Sequence, residues 1–89
     1  MARPSTLRNL GPRSDVMLAE VGIDSVADLK EVGAIEAYQR LKFVFGKSIS
    51  LNALWAIHTG LQDRDWRSLS VDEKEKLKAE LASFSKNRE

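Results

Sequence analysis

Apolar residues recur along most of this chain at the three- and four-residue spacing of helices, and no segment alternates apolar and polar residues as a half-buried strand does. The pattern predicts an all-α fold, a single compact domain of five to six short helices. The predicted segments are a short turn or helix over 4–9 and helices over about 12–20, 26–32, 34–45, 51–61 and 71–83. The expected buried positions are Met17, Leu18, Val21, Val26, Leu29, Val32, Ile35, Tyr38, Leu41, Phe45, Leu51, Leu54, Trp55, Ile57, Leu61, Leu77, Leu81 and Phe84.

Residues with known preferences at helix ends support these boundaries. Pro12 suits a first helical position, and glycines follow three of the segments at positions 22, 33 and 46. Ser25, Ser50 and Ser70 are predicted N-caps, with Asp28 and Glu73 as the reciprocal partners of the first and last. The broad apolar face over 51–61 predicts a central helix. The narrow stripe over 71–83 predicts an outer helix, with fraying expected over 85–89.

Length and composition are those of one small domain. The 89 residues, 43% of them hydrophobic, predict a single domain over 1–89 with a core over about 7–84, which buries roughly 60–65% of its unfolded surface. The absence of cysteine excludes a disulfide framework and a thiol nucleophile. Because the chain has neither a signal-peptide pattern nor an apolar run of about 20 residues, we expect a soluble, cytoplasmic protein.

Charge is unevenly distributed although the net charge is only +1. Residues 1–13 carry three arginines and no acid, residues 15–36 carry six acids and one lysine, and residues 40–50 carry three basic residues and no acid. Any nucleic-acid surface must therefore be local, because bulk charge does not attract the phosphate backbone.

The turn that leads into the helix at Pro12 is the strongest candidate site. A helix N-terminus preceded by a glycine turn has unpaired N–H groups at the positive end of the helix dipole, where a phosphate can bind. Arginine also contacts phosphate through two parallel hydrogen bonds. The candidate nucleic-acid-binding residues are Arg8, Asn9, Leu10, Gly11, Arg13 and Ser14. The alternative is a tight turn between two packed helices with a solvated basic edge.

A secondary basic surface is predicted at Arg40, Lys42 and Lys47, which extends the first one if the helix over 34–45 ends near the turn. The alternative is the solvated face and last turn of an ordinary helix, where cations are favourable in any case.

Other chemistry-bearing residues favour structural roles. His58 has no second ligand or activated partner nearby in sequence, and we expect it to be partly buried. Trp55 and Trp66 could stack on bases, but core packing is the favoured interpretation for both. Glu73, Glu75 and Glu80 lie among lysines on the predicted outer helix, where a desolvated carboxylate pair is not expected. No catalytic residue, metal or cofactor is predicted.

Two groups of residues resemble known families. The run Leu7-x-Asn9-Leu10-Gly11-Pro12-x-Ser14, followed by Gly22-Ile23, resembles the helix-hairpin-helix modules of DNA repair proteins and the C-terminal domain of the RNA polymerase α subunit. This resemblance implies a helix-hairpin-helix or SAM-domain-like arrangement that contacts phosphate through hairpin amides. Asn9 stands where such hairpins usually have their first glycine, and asparagine tolerates left-handed backbone angles.

The second half of the chain narrows the resemblance. The pattern continues with Gly33-Ala34, Tyr38-x-x-Leu41-Lys42, the run from Ser50 to Ala56, and Trp66. In this order the motifs resemble the TfoX (Sxy) C-terminal domain family over about 7–81. Membership implies kinship with bacterial regulators that act with the cyclic-AMP receptor protein on DNA-uptake genes. Those regulators usually carry a separate N-terminal domain, which we do not expect in this chain.

Two functions follow as hypotheses for a non-enzymatic regulatory module. The first is weak, salt-sensitive contact with the nucleic-acid backbone through the turn, with a dissociation constant of roughly 10⁻⁴ to 10⁻⁶ M. The alternative is a protein–protein adaptor that binds a transcription factor or another partner through the acidic region or the outer helix. Self-association is a third possibility, and no membrane partner is expected.

Overall fold

The computed structural model describes the backbone of residues 3–7 and 9–87, with the side chains of those ranges except at 5 and 84–87. This part of the chain contains no strand and folds into five α-helices, which are α1 (Pro12–Glu20), α2 (Val26–Val32), α3 (Ala34–Phe45), α4 (Leu51–Leu61) and α5 (Val71–Asn87). Single turns of 3-10 helix cover Pro4–Thr6, Gly46–Ser48 and Trp66–Ser68. The all-α prediction is confirmed.

The predicted serine caps begin three of the helices. The Asp28 backbone N–H donates to Ser25 Oγ at 3.1 Å, and the Asp28 carboxylate accepts from the backbone N–H of Asp24. The sequence predicts that this carboxylate bonds back to Ser25, whereas in the structure it bonds to Asp24, one residue earlier. At α5 the capping box is complete, because the Glu73 N–H donates to Ser70 Oγ at 3.2 Å and Glu73 Oε1 accepts from the Ser70 N–H at 3.4 Å.

Helix α5 is longer than the sequence predicts. Its described backbone is helical to Asn87, whereas the apolar stripe indicated an end near Ser83 and fraying from Ser85. The segment contains neither glycine nor proline, so no residue within it interrupts the helical hydrogen bonds. A stripe of buried positions marks where a helix packs, and the helix itself can continue beyond it.

Helix α3 lies at the centre of the fold. It packs against each of the other four α-helices, whereas α4, which the sequence predicts to be central, packs mainly on α3 and on the 3-10 turn over 66–68. Small side chains permit this close approach, because Ala34 and Ala37 of α3 are buried together with Tyr38 and Leu41. The other buried hydrophobic residues are Leu18, Ile23, Leu29, Ile49, Leu54, Trp55, Ile57, Leu69 and Leu77.

Within the described residues, no helix combines the length and the apolar character needed to cross a bilayer.

Candidate nucleic-acid interface

The turn before α1 depends on the backbone conformation of Asn9. Its φ is 71°, in the left-handed region that asparagine tolerates better than most residues. The prediction that this turn survives without a glycine at position 9 is confirmed.

The Asn9 side chain also ties the turn to the end of α4. Its Nδ2 donates to Thr59 Oγ1 at 2.9 Å and to the Arg64 carbonyl at 2.8 Å, and its Oδ1 accepts from the Trp66 backbone N–H at 3.3 Å. Thr59 is fully buried and donates its own hydroxyl hydrogen to the Trp55 carbonyl at 2.7 Å. Both amide hydrogens of Asn9 are therefore used inside the protein, and its contribution to an interface is the shape of the turn.

The rest of the predicted turn lies beside a groove between α1, α3 and α4. Gly11 is the extended N-cap of α1, and its carbonyl accepts from the Ser14 N–H at 2.9 Å. Leu10 and Ser14 line the groove together with Ile49 and Ala53. We call this feature the α1–α4 groove. Its lining residues are Asn9, Leu10, Ser14, Met17, Leu18, Leu41, Ile49, Ala53, Ala56 and Ile57.

Three basic residues are neighbours of residues that line the α1–α4 groove. Arg13 is exposed in the first turn of α1, next to Ser14, and forms no ion pair with another described residue. Lys42 Nζ donates to the Ile49 carbonyl at 2.8 Å, which holds this ammonium group near the groove. Lys47 is exposed two residues before Ile49. Each of the two basic segments therefore contributes a residue bonded to, or next in sequence to, a residue that lines this groove.

Arg40 has a different environment from the two lysines of its segment. Its Nη1 donates to the Val21 carbonyl at 3.1 Å, and its Nη2 pairs with the Glu36 carboxylate one helical turn away. The Val21 carbonyl lies at the end of α1, beside Gly22, whose φ of 83° reverses the chain. Arg40 thus joins α3 to the end of α1, and it does not line the α1–α4 groove.

The N-terminal arginines do not form a single described cluster. Arg8 lies outside the described residues. Arg3 lines a separate surface depression with Asp15 and Asp24, on the other side of α1 from Ser14. Arg13 is therefore the arginine of residues 1–13 that the structure locates beside the groove.

The two tryptophans have opposite environments. Trp55 is only 5% exposed, with Lys74 Nζ 5.9 Å from its ring centroid, which confirms the prediction of core packing. Trp66 is 46% exposed, so the same prediction is wrong for this residue. Trp66 lies in a 3-10 turn among polar neighbours. In the connection between α4 and α5, Leu69 is buried instead. His58 is half-buried.

The connection over 62–70 is held to α5 by an ion pair that sequence reasoning missed. Arg64 donates to both carboxylate oxygens of Glu73, at 2.8 and 3.0 Å. These hydrogen bonds, followed by the one from the Ser70 N–H, lower the pKa of Glu73 to about 2. The polar composition of 62–70 predicts exposure, but it does not indicate which of its charged residues pairs with α5.

Asn52 is a second residue that the sequence did not single out. It is exposed in the first turn of α4, one turn before Ala56, and it lines a second, shallow cleft with Asn9, Ala56 and Trp66. A signal was available, because Asn52 and Ala56 are polar and small at helical spacing within an otherwise apolar helix.

Comparison with known proteins identifies the family. The sequence model of the TfoX C-terminal domain matches residues 2–81. This chain belongs to the TfoX C-terminal domain family. It is 37% identical over 79 residues to the DNA transformation protein TfoX of Haemophilus influenzae, an alignment that covers 89% of this chain and 36% of that protein. The chain therefore spans about a third of the length of the curated relative it matches.

Solved structures share the fold of this TfoX C-terminal domain. An uncharacterized protein from Listeria monocytogenes, 30% identical, superposes with a TM-score of 0.79 over 94% of both chains. A protein of unknown function from the same organism, 31% identical, superposes with a TM-score of 0.75 over 84% of this chain and 91% of the other. The resemblance to the TfoX family inferred from the sequence is thus confirmed.

Proposed function

We propose that this chain is a regulatory binding domain of bacterial DNA transformation, without catalytic activity of its own, that works in the cytoplasm and contacts the nucleic-acid backbone at the turn before α1. The link to DNA transformation comes from family membership and from the name of the Haemophilus influenzae relative. The proposal assigns contact to Arg13, through its guanidinium and its backbone N–H, because Pro12 has no N–H and the Ser14 N–H is bonded to the Gly11 carbonyl.

One observation carries the nucleic-acid part of the proposal. Arg13, whose guanidinium is unpaired among the described residues, directly precedes the groove residue Ser14, and Lys42 Nζ donates to the carbonyl of the groove residue Ile49, with Lys47 two residues before it. Separate basic residues near a groove suit the phosphates of a strand that follows it. Because so few cations take part, binding is weak, and it decreases with salt by about one power of the salt concentration for each phosphate contact.

The test is an NMR titration of the labelled protein with a short DNA duplex and a single strand, at low and physiological salt. We expect shifts at Leu10, Gly11, Arg13 and Ser14 that weaken as salt rises. Arg13→Ala should weaken binding several-fold and reduce the salt dependence by about one phosphate contact. Lys78→Ala is the matched control, since it removes one exposed positive charge from α5, a helix that contributes no residue to the groove.

Two results would contradict the proposal. One is a spectrum that neither DNA changes at low salt. The other is equal weakening by the Arg13 and Lys78 variants, because that result means bulk charge rather than contact at the turn. The double variant Arg8→Ala/Arg13→Ala extends the test to the arginine outside the described residues.

A specific observation favours a second candidate function, the protein–protein adaptor. Phe43 is 91% exposed and its neighbour Val44 is 54% exposed, on the solvent side of α3. Adjacent exposed apolar side chains are typical of an interaction surface. If a protein partner such as the cyclic-AMP receptor protein binds here, Phe43→Ser abolishes the binding and Arg13→Ala leaves it unchanged. Light scattering of the Phe43 variant also tests self-association through the same surface.

A further inference from the structure

The shallow cleft formed by Asn9, Asn52, Ala56 and Trp66 is a second binding feature beside the α1–α4 groove. Its cavity volume is about 180 Å³ and it is open to solvent, so it is smaller than the pockets that enclose a drug-sized ligand. Asn9 and Ala56 line both the cleft and the groove. A strand that follows the groove therefore reaches the cleft at the turn before α1.

Trp66 supplies an aromatic surface with a free polar edge. About half of its surface is in water, and its indole N–H has no hydrogen-bond partner among the described residues. The position of its backbone is well defined, because its N–H donates to Asn9 Oδ1 and because Asp65 caps the 3-10 turn through the Arg67 N–H at 2.8 Å. An accessible indole held in this way is the platform on which nucleobases stack.

Asn52 supplies hydrogen-bonding groups at the other side of the cleft. Its backbone N–H donates to Ser50 Oγ at 3.3 Å, while its side-chain amide bonds to no other residue of the described ranges. A free carboxamide offers two donors and an acceptor, which can pair with the edge of a base. The Asn9 amide differs, because its donors are used and only one lone pair of Oδ1 remains.

The chemistry of the lining selects the kind of group that enters. All four lining side chains are uncharged, so a phosphate gains no ionic partner inside the cleft. A flat, neutral ring with donors and acceptors on its edge matches an indole, a carboxamide and the small side chain of Ala56. The basic side chains lie instead on the neighbouring groove, where a backbone would run.

We propose that this cleft binds an unpaired nucleobase, which stacks on Trp66 and receives hydrogen bonds from Asn52. The inference deepens the proposed function and rests on it for the path of the strand. A base in a duplex is already stacked and paired, so the ligand is single-stranded nucleic acid.

The test compares three probes by NMR, a short single-stranded oligonucleotide, an oligonucleotide of the same length made of abasic sites, and the uncharged nucleoside adenosine. The reporters are the Trp66 indole N–H and the Asn52 side-chain amide. We expect the base-bearing strand to bind at least about 5-fold more tightly than the abasic strand. We also expect Trp66→Ala and Asn52→Ala to remove this difference. Trp66→Phe should retain much of it, and Val71→Ala, which removes an exposed apolar side chain outside the cleft and the groove, should not alter it.

The probes separate this inference from the proposed function. If both strands bind equally, or if no probe shifts the two reporters, the nucleobase site is wrong. If the abasic strand binds while adenosine and the bases change nothing at Trp66, the backbone contact stands and only the nucleobase site fails. If adenosine shifts both reporters while the abasic strand does not bind, the base site stands and the backbone proposal fails.

Discussion

Trp55 and Trp66 are the same residue type eleven positions apart, yet one belongs to the core and the other to the surface. Trp55 lies within α4 between apolar residues at helical spacing and is buried, with Lys74 of α5 over its ring. Trp66 lies in a single 3-10 turn of the polar connection to α5, and half of it remains in water. The local element and the tertiary neighbours, rather than hydrophobicity alone, decide whether an aromatic residue is buried.

The comparison also shows how a polar connection is held in place without a core of its own. The segment around Trp66 is attached on one side through the Asn9 amide and on the other through the Arg64–Glu73 pair. Hydrogen bonds and an ion pair therefore fix the position of this segment, whereas close packing fixes the position of Trp55. An aromatic residue held by polar bonds remains accessible to a ligand, whereas a packed one does not.

The largest expected effect is at Trp55. Trp55→Ala removes a buried side chain and leaves a cavity, which should lower the free energy of unfolding by about 3–5 kcal/mol, most of the stability of a small domain. Urea denaturation followed by circular dichroism measures the loss. A loss as small as that of the matching substitution at Trp66 would contradict the assignment of Trp55 to the core.

The next effect is at Asn9, which holds the surface tryptophan in place. Asn9→Ala loses three hydrogen bonds and puts alanine at a positive φ, so the free energy of unfolding should fall by about 2 kcal/mol. Asn9→Gly keeps the backbone freedom and should lose about 1 kcal/mol less than alanine. If glycine and alanine destabilise the protein equally, the backbone conformation of Asn9 makes no separate contribution.

Trp66→Ala should cost about 1 kcal/mol, because only part of the indole leaves the protein and no enclosed cavity forms. The same urea experiment measures this loss. Amide hydrogen exchange then distinguishes the two tryptophans, since Trp66→Ala should speed exchange near the connection and leave α3 and α4 protected. Loss of protection throughout the molecule would show that Trp66 is a core residue after all.

The last effect depends on pH and concerns the attachment of the connection to α5. The pKa of Glu73 is about 2 in the folded protein, below its ordinary value of 4.5, so its ionised form favours folding. This stabilisation is present above about pH 4.5 and is lost as the pH falls toward 2. Glu73→Gln should therefore destabilise the protein at neutral pH but not near pH 2. Urea midpoints at several pH values test this, with Glu75→Gln, an exposed carboxylate two residues further along α5, as the control.

Much of the fold could be predicted from the sequence because helix formation is local. The first residues of α1 to α5 follow from Pro12, the serine caps and Gly33, and the ends of α1 to α3 follow from Gly22, Gly33 and Gly46. These signals act through bonds between residues no more than four positions apart, so the neighbouring sequence contains them. The end of α5 was missed because no local residue marks it.

The candidate site was only partly predictable. The basic segments at Arg13 and at Lys42 and Lys47 are visible in the sequence, but Arg40 has the same charge and joins α3 to the end of α1 instead. Asn9 was expected to permit a turn, and that was correct. Its amide bonds to Thr59, 50 residues away, had no sequence signal.

By itself, the sequence determined the helices, their caps, the unusual backbone at position 9 and membership of the TfoX C-terminal domain family. Only the tertiary structure decided which polar and aromatic groups remain free. Asn9 Oδ1 and the Trp66 N–H lie 57 residues apart in sequence, and their hydrogen bond forms one edge of the candidate cleft. Helical hydrogen bonds join near neighbours, whereas a binding surface is formed by residues that only packing brings together.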